Sequence, residues 1–411
     1  MQGRGPRGSP LCEKARRRSD EFEALVPTGW FRKYLEWTSG HESPAQFHFG
    51  AAITAVAGGL GRAPRIEWEA RNLYPNLYAL LVGPTGARKG SAMSRAVRLT
   101  VQTLGTNLLP NEGTHQGFAA GLRRRSIATG GLLSDGLIVA DEFSVLMSKD
   151  TNKSDLTKWL TDWYDSPDSW ERGLRGEEDY VIPNMYVSVL GGSNVDWLRT
   201  MPIDAITGGF LPRFILFDTP DKRFWCARPQ FSDKLETELR NDLKRNLTGV
   251  PGTIAFSTDA GSYLDTWYEE DVRLAYESHH DEQYRAWLAR KQAAAMKLAT
   301  VWQLTDGGPK DFLAVEWLER ARRVVDWGDE AVANVYGALG VSSEGQVASD
   351  VVKIIAARGG KATKKGIIKQ LREQYTVRRI TTAIDTLKAS GEYRVGLDPN
   401  EGVTVWAQLS G

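Results

Sequence analysis

A glycine-rich segment between an apolar run and an amphipathic run is the feature that most restricts the fold. Residues 77–83 (LYALLVG) have the composition of a strand buried on both faces, and a helix is predicted to begin near Ser91. Between them, residues 83–90 (GPTGARKG) break the periodicity with three glycines and a proline. A strand, a glycine loop and a helix in this order predict a phosphate-binding loop in an α/β domain.

The residue types of this loop suit phosphate chemistry. Glycines allow backbone N–H groups to converge on phosphate oxygens. Lys89 is predicted to neutralise the β- and γ-phosphates, and the hydroxyl of Ser91 to help hold Mg²⁺. Arg88 stands where a last glycine is usual, and Gly90 stands where Ser or Thr usually follows the lysine. The alternative is a glycine-rich turn that contains a lysine by chance. The predicted nucleotide-binding residues are Gly83, Pro84, Thr85, Gly86, Ala87, Arg88, Lys89, Gly90 and Ser91.

A second buried strand, residues 136–142 (GLIVADE), ends in two carboxylates about fifty residues after the loop. In a phosphate-binding domain, Asp141 would help to hold Mg²⁺ and Glu142 would orient or deprotonate the attacking water. The alternative is a strand that ends in ordinary solvated acids. The combination of the two motifs favours the catalytic interpretation.

Two further strands are predicted at 185–194 and 213–218. The first ends at Asn194, whose amide could bond both a γ-phosphate and the attacking water; an ordinary turn residue is the alternative. Arg213 heads the second strand and could reach the γ-phosphate of a neighbouring subunit; a plain surface arginine is the alternative. Strands that alternate with helices predict a mostly parallel sheet covered on both faces.

The rest of the chain divides by composition. Helical patterns dominate after the last of these strands. After a composition shift near residue 340, three short helices and two alternating strands predict a winged helix-turn-helix. From Gly340 onward there are eleven Lys or Arg and seven Asp or Glu, a basic surplus that suits contacts with DNA phosphates. The alternative is a winged helix that is used only for protein contacts. The predicted segments are a disordered basic tail (1–26), a helical segment (27–60), a P-loop ATPase core (61–222), a helical lid (223–340) and the winged helix (341–411).

Five segments together resemble a phage and plasmid family of AAA+ ATPases, similar to the superfamily 3 and primase-linked helicases. They are GPTGARKGS, LIVADEF, TDWYDSPDSW, VLGGSN and GGFLPRF. The resemblance spans residues 27–340 and implies ATP and Mg²⁺ as cofactors, a three-layer AAA+ core, a lid and a ring-shaped homo-oligomer, a hexamer. It also implies that Asn194 is a sensor and that Arg213 is an arginine finger. Lys291 and Lys297 in the lid are candidates for a second sensor that contacts phosphate; the alternative is that they lie on the solvated face of an amphipathic helix.

The function expected from these features is that of an ATP-dependent DNA helicase or translocase in phage or plasmid replication, with a separate primase or other replisome proteins as further partners. The alternatives are a helicase loader or initiator that binds DNA without unwinding it, and a DNA-binding scaffold whose nucleotide site has decayed. The net charge of +1 excludes a polycation, so DNA must bind at local patches. Two distant cysteines, no apolar run of membrane length and no signal-peptide pattern predict a cytoplasmic protein without membrane contact.

Overall fold

The chain divides into two compact units, Met1–Val335 and Tyr336–Gly411, so the second unit begins five residues before the predicted boundary. The structure is a computed structural model. It describes residues 9–68, 70–110, 114–148, 153–172, 180–198, 200–201, 209–250, 252–279, 281–336, 343–372, 375–389, 393–399 and 402–407.

The helices that begin in the first unit are α1 (Pro10–Ala24), α2 (Gly29–Trp37), α3 (Ala45–Leu60), α4 (Lys89–Leu104), α5 (His115–Ala128), α6 (Phe143–Ser148), α7 (Lys153–Tyr164), α8 (Val195–Leu198), α9 (Asp233–Leu247), α10 (Thr258–Thr266), α11 (Arg273–Ser278), α12 (Glu282–Asp306) and α13 (Val315–Tyr336). A 3₁₀ turn covers Leu211–Arg213, and a π-helical turn, Trp267–Val272, joins α10 to α11. The strands are β1 (Ile66–Trp68), β2 (Arg71–Leu73), β3 (Tyr78–Val82), β4 (Ser134–Ala140), β5 (Ser169–Arg172), β6 (Tyr180–Pro183), β7 (Met185–Ser193), β8 (Phe214–Asp218), β9 (Ala255–Phe256) and β10 (Phe312–Leu313).

Four of these strands form a parallel sheet in the order β4-β7-β3-β8, which confirms the α/β class. All nine residues of β7 and all five of β3 are buried, as expected for a sheet covered on both faces. The Tyr186 hydroxyl donates to the Ala57 carbonyl of α3 at 2.7 Å. The Tyr78 hydroxyl donates to the Leu160 carbonyl of α7 at 2.9 Å. Helices α3 and α7 therefore cover opposite faces of the sheet.

A helix occupies most of the predicted disordered tail, so that prediction is wrong for Pro10–Ala24. Its buried residues include Cys12, Ala15, Ser19 and Phe22, spaced for one helical face. Arg18, on the same face, pairs with Asp218 at the end of β8 and with Glu330 of α13, both at 2.6 Å. The basic composition hid an amphipathic helix whose arginine is bound inside the fold.

The second unit contains α14 (Ser343–Ala357), β11 (Lys361–Thr363), α15 (Lys364–Leu371), α16 (Val377–Ala389), β12 (Tyr393–Asp398) and β13 (Gly402–Ala407). The three strands form an antiparallel sheet in the order β11-β13-β12. The unit has its own apolar core, to which Val351, Ile367, Ile384 and Val405 belong. The three predicted helices and the two-stranded wing are present, and β11 is an additional strand.

No helix in the part of the chain that the structure describes is both long and apolar enough to cross a membrane.

Lys297 of α12 is buried in the first unit, with 2% of its surface exposed. Its Nζ donates to Asn76 Oδ1 at 2.8 Å and to the Tyr164 carbonyl at 2.9 Å. Burial lowers the pKa of Lys297 to about 7. Because the unfolded chain keeps an ordinary lysine pKa, it holds more protons than the folded chain between pH 7 and about 10. The free energy of unfolding therefore rises with pH in this window.

We expect Lys297→Met to remove this pH dependence, because methionine has no proton to lose. Urea unfolding at pH 6 and pH 9 should show the wild-type free energy of unfolding rising relative to that of the variant, by about 2 to 3 kcal/mol. Parallel pH profiles for the two proteins would mean that Lys297 keeps its ordinary pKa in the fold.

Candidate functional site

The four parallel strands end together at one edge of the sheet, which we call the carboxyl edge. Val82 of β3 pairs with Ser193 of β7 and with Asp218 of β8. Ala140 of β4 pairs with Gly191 of β7. Ligands of open α/β sheets bind at this kind of edge, because the loops that follow the strands converge there. The predicted loop, the two carboxylates and Asn194 all come directly after these strands.

Residues 83–90, the phosphate loop, join β3 to α4 in a tight turn. The Gly83 N–H donates to the Ser193 carbonyl at 3.1 Å, and the Ala87 N–H donates to the Pro84 carbonyl at 3.2 Å. Gly86 has a φ of +94°, a conformation that glycine adopts without strain. Pro84, Thr85 and Gly86 are exposed at the tip. The loop is thus held at its base and open to a ligand at its tip.

Arg88 has the left-handed backbone conformation that the usual glycine would supply, with φ +64° and ψ +33°. A non-glycine residue is strained there, by about 1 kcal/mol or more. Its Nε donates to Glu42 Oε2 at 2.7 Å, and the Glu42 side chain is 5% exposed. The loop therefore keeps its geometry without the glycine, and a buried carboxylate holds the arginine that replaces it.

Glu42 is the centre of this contact. Besides Arg88, it accepts a hydrogen bond from the Cys226 N–H at 2.8 Å and from Lys222 Nζ at 3.5 Å. Burial favours its neutral form, but the Cys226 N–H, Arg88 and Lys222 outweigh that effect and lower the pKa of Glu42. Glu42 is therefore charged at neutral pH.

Lys89 is the first residue of α4, and its side chain lies within the phosphate loop. Its Nζ donates to the Gly83 carbonyl at 2.7 Å and to the Pro84 carbonyl at 3.1 Å. Burial lowers the pKa of Lys89, and the negative charge of Glu142 counteracts part of that shift. The Glu142 carboxylate is thus close enough to the Lys89 ammonium to stabilise its charge.

Asp141 and Glu142 follow β4, and both side chains are exposed at the carboxyl edge. Partial burial raises the pKa of Asp141. A Cβ built on Gly192 would lie 2.5 Å from the Asp141 carbonyl oxygen, so β7 has room for this turn only because residue 192 is glycine. A Cβ built on Gly191 would meet Leu80 at 2.7 Å and Phe143 at 2.8 Å. The glycine pair of β7 therefore allows the Asp141 backbone and the side chains of Leu80 and Phe143 to pack closely against this strand.

Gly90, the position where Ser or Thr usually follows the lysine of such a loop, lies beside Asp141. A Cβ built on Gly90 would lie 3.6 Å from Asp141 Oδ1, an ordinary van der Waals distance. Ser91, the predicted substitute, is exposed on α4, and its role in metal binding stays a prediction. A hydroxyl on a side chain at residue 90 would therefore lie near the Asp141 carboxylate.

No group of three or more His, Cys, Asp or Glu in the described ranges could hold a metal ion by itself.

Asn194 follows β7, the strand between β3 and β4. Its Oδ1 accepts from the Trp197 N–H at 2.8 Å, at the start of α8. This bond fixes the side chain at the carboxyl edge and leaves its NH₂ group as a donor. The structure therefore brings Lys89, Asp141, Glu142 and Asn194 to one edge; the sensor role of Asn194 stays a prediction.

Arg213 is not brought to this edge. It precedes β8, and Phe214 pairs with Tyr78 at the start of β3, so Arg213 lies at the opposite edge of the sheet. It is 6% exposed, donates to the Gly209 carbonyl at 2.6 Å and pairs with Asp165 at 3.5 Å. A finger role in a neighbouring subunit stays a prediction, and it would require this arginine to leave its buried partners.

The two lysines of the helical segment are also bound elsewhere. Lys291 pairs with Asp326 and Asp329, both at 2.6 Å. Lys297 contacts Asn76, which lies just before β3 and therefore away from the carboxyl edge. The alternative interpretation, that both lysines are solvated, is wrong, because both are buried. Neither lysine contacts the phosphate loop in the described structure.

Sequence reasoning missed Glu42 and the glycine pair of β7. Glu42 lies 46 residues before Arg88, and no local pattern connects them. Adjacent glycines inside an apolar strand did carry a signal, because glycine in a strand marks a close backbone approach.

The chain matches no family model and no curated protein. The candidate site therefore rests on its own geometry and on the sequence motifs.

We expect Gly192→Ala to destabilise the first unit by about 1 to 3 kcal/mol, because the new methyl group would overlap the Asp141 carbonyl. Gly261→Ala is a matched control: a Cβ at this position in α10 meets nothing within 4 Å. The control should be more stable than the wild type by about 0.5 to 1 kcal/mol. Urea unfolding of the three proteins checks this, and a Gly192→Ala protein as stable as the control would contradict the close approach.

Proposed function

We propose that the first unit binds ATP with Mg²⁺ at the carboxyl edge and hydrolyses it. The observation that carries this proposal is the convergence of Lys89 with Asp141 and Glu142. These residues are about fifty positions apart in the sequence, yet they lie around one glycine loop at the ends of parallel strands. A lysine in the loop and an acid pair beside it form the charge pattern that phosphoryl transfer requires.

In this proposal each residue has one task. Backbone N–H groups at the tip of the phosphate loop would face the phosphates, and Lys89 would exchange its carbonyl contacts for phosphate oxygens. Glu142 orients water and accepts its proton. Asp141 is the carboxylate for Mg²⁺, which supplies neutralisation of phosphate charge when bound. One protein carboxylate is enough, because Mg²⁺ keeps waters and takes phosphate oxygens as ligands.

The finer class that we propose is an AAA+ ATPase of the phage and plasmid replication type. In its favour, Asn194 directly follows β7, the strand between β3 and β4, so its amide could lie between the phosphate loop and the acid pair. The helical segment from α9 to α13 follows the last strand of the sheet, in the place of a lid. A ring-shaped hexamer and a replicative role are further parts of this proposal, supported by the five resembling segments.

DNA binding is assigned to the second unit. Lys365 and Lys369 of α15, Arg378 and Lys388 of α16 and Arg394 of β12 are exposed. Of these, Lys365 and Arg378 lie at the starts of α15 and α16. Exposed basic side chains at the start of a helix suit phosphate contacts, which fix a helix on DNA without reading its sequence. Because the unit also carries acidic residues, we expect a few phosphate contacts, rather than a large positive surface, to bind DNA. The affinity for DNA should therefore fall as the salt concentration rises.

The test is release of phosphate from ATP by the full chain, with Mg²⁺, in the presence and absence of single-stranded DNA. We expect activity that DNA increases. Lys89→Ala should lower it by a factor on the order of 10² or more, because the charge that faces the transferred phosphate is lost. Lys234→Ala, an exposed lysine of α9, is the matched control and should leave the rate unchanged. Equal rates for both variants would contradict the proposed site.

A helicase and a loader share this site but differ in what hydrolysis achieves. Unwinding of a forked duplex by the purified chain with ATP would support the helicase, and ATP-dependent DNA binding without unwinding would support the loader. The absence of nucleotide binding by the folded wild-type chain would indicate a decayed site instead.

We also expect Gly90→Ser to lower the magnesium concentration needed for ATP binding, because its hydroxyl would stand beside Asp141. One added hydrogen bond to a charged group suggests an improvement of about ten-fold. Gly90→Ala is the control, since it adds the carbon without the hydroxyl. Calorimetric titration of ATP at graded Mg²⁺ concentrations measures the effect. Equal magnesium dependence in the two variants would show that position 90 does not serve the metal.

A further inference from the structure

An exposed tryptophan stands close to the phosphate loop. Trp225 is 74% exposed, and it belongs to residues 219–226, which we call the β8 loop. Tryptophan is usually largely buried, so an indole this exposed on an ordered loop calls for an explanation. The β8 loop begins against the phosphate loop: the Thr219 N–H donates to the Val82 carbonyl at 3.0 Å, and a Cβ on Gly83 would lie 3.0 Å from Thr219.

The indole is fixed although it is exposed. The Lys222 ammonium lies 3.2 Å from the centroid of its ring, and Lys222 itself is buried. The following N–H, that of Cys226, donates to Glu42, which also binds Arg88 of the phosphate loop. Lys222 covers one face of the ring. Because Trp225 is nevertheless largely exposed, its other face is open to a flat ligand. Such a fixed ring loses little conformational entropy on binding.

The order of the strands gives the direction in which a bound triphosphate would extend. The acids that serve the γ-phosphate follow β4, and Asn194 follows β7, on one side of β3. The nucleoside end must therefore point away from them, toward the other neighbour of β3, which is β8. The β8 loop follows this strand at the same edge, and Trp225 is its exposed aromatic side chain.

We propose that Trp225 is the stacking surface for the base of the bound nucleotide. This inference rests on the proposed function, because it assumes a nucleoside triphosphate in the phosphate loop. A planar base would lie on the open face of the indole, opposite Lys222. Stacking by itself tolerates every base, so Trp225 contributes affinity for the base rather than a choice among bases.

The experiment compares ATP with inorganic tripolyphosphate, which has the phosphates but no base, as ligands of the full chain with Mg²⁺ in calorimetric titration. Trp225→Ala should weaken ATP binding about ten-fold and leave tripolyphosphate binding unchanged. Trp225→Phe should restore most of the ATP affinity. Leu132→Ala, at an apolar residue that is 73% exposed, should match the wild type with both ligands.

Three outcomes would overturn the assignment. ATP affinity unchanged in Trp225→Ala would show that the base lies elsewhere. Equal losses for ATP and tripolyphosphate would show that Trp225 only supports the phosphate loop. Weaker binding of single-stranded DNA with ATP affinity unchanged would show that the indole stacks on a DNA base. If the wild type binds neither ATP nor tripolyphosphate, the proposed function itself fails, which is distinct from the three.

Discussion

The parallel register of β3, β4, β7 and β8 is the constraint on which the candidate site depends. Because the carboxyl ends of these strands meet at one edge of the sheet, residues that are far apart in the sequence become neighbours there. They are Lys89, the acid pair Asp141 and Glu142, and Asn194. At this edge the turn after β4 packs closely on β7: Gly192 lets the Asp141 carbonyl approach β7 at a distance that a methyl group would prevent. The placement of the acid pair beside β7 therefore depends on glycine at residue 192.

The two departures from the regular phosphate-loop pattern have different physical meanings. Arg88 preserves the loop, since it adopts the left-handed conformation and is bound by Glu42. Gly90 leaves the loop intact but removes a hydroxyl from the side of Asp141. The first departure is thus compensated within the fold, whereas the second changes what the site can offer to a cation.

Sequence patterns predicted the sheet well, because strands buried on both faces are apolar throughout and end at clear turns. They also placed Asp141, Glu142 and Asn194 at strand ends and Lys89 in the loop that follows a strand, where a parallel sheet must bring them to one edge. They failed for α1, whose arginines concealed an apolar face, and they gave no sign of how deeply Arg213 is buried. Depth and long-range ion pairs depend on which segments meet in space, and no local periodicity records that.

Glu42 has a consequence for how this edge can move. One carboxylate binds the arginine of the phosphate loop, the lysine beneath Trp225 and the backbone of the β8 loop. Separating these loops would leave a buried negative charge without partners, which is costly. The phosphate loop and the β8 loop are therefore held together on one side of the candidate site. If the proposed nucleotide turnover moves this edge of the sheet, we expect the movement on the other side, around β4 and β7.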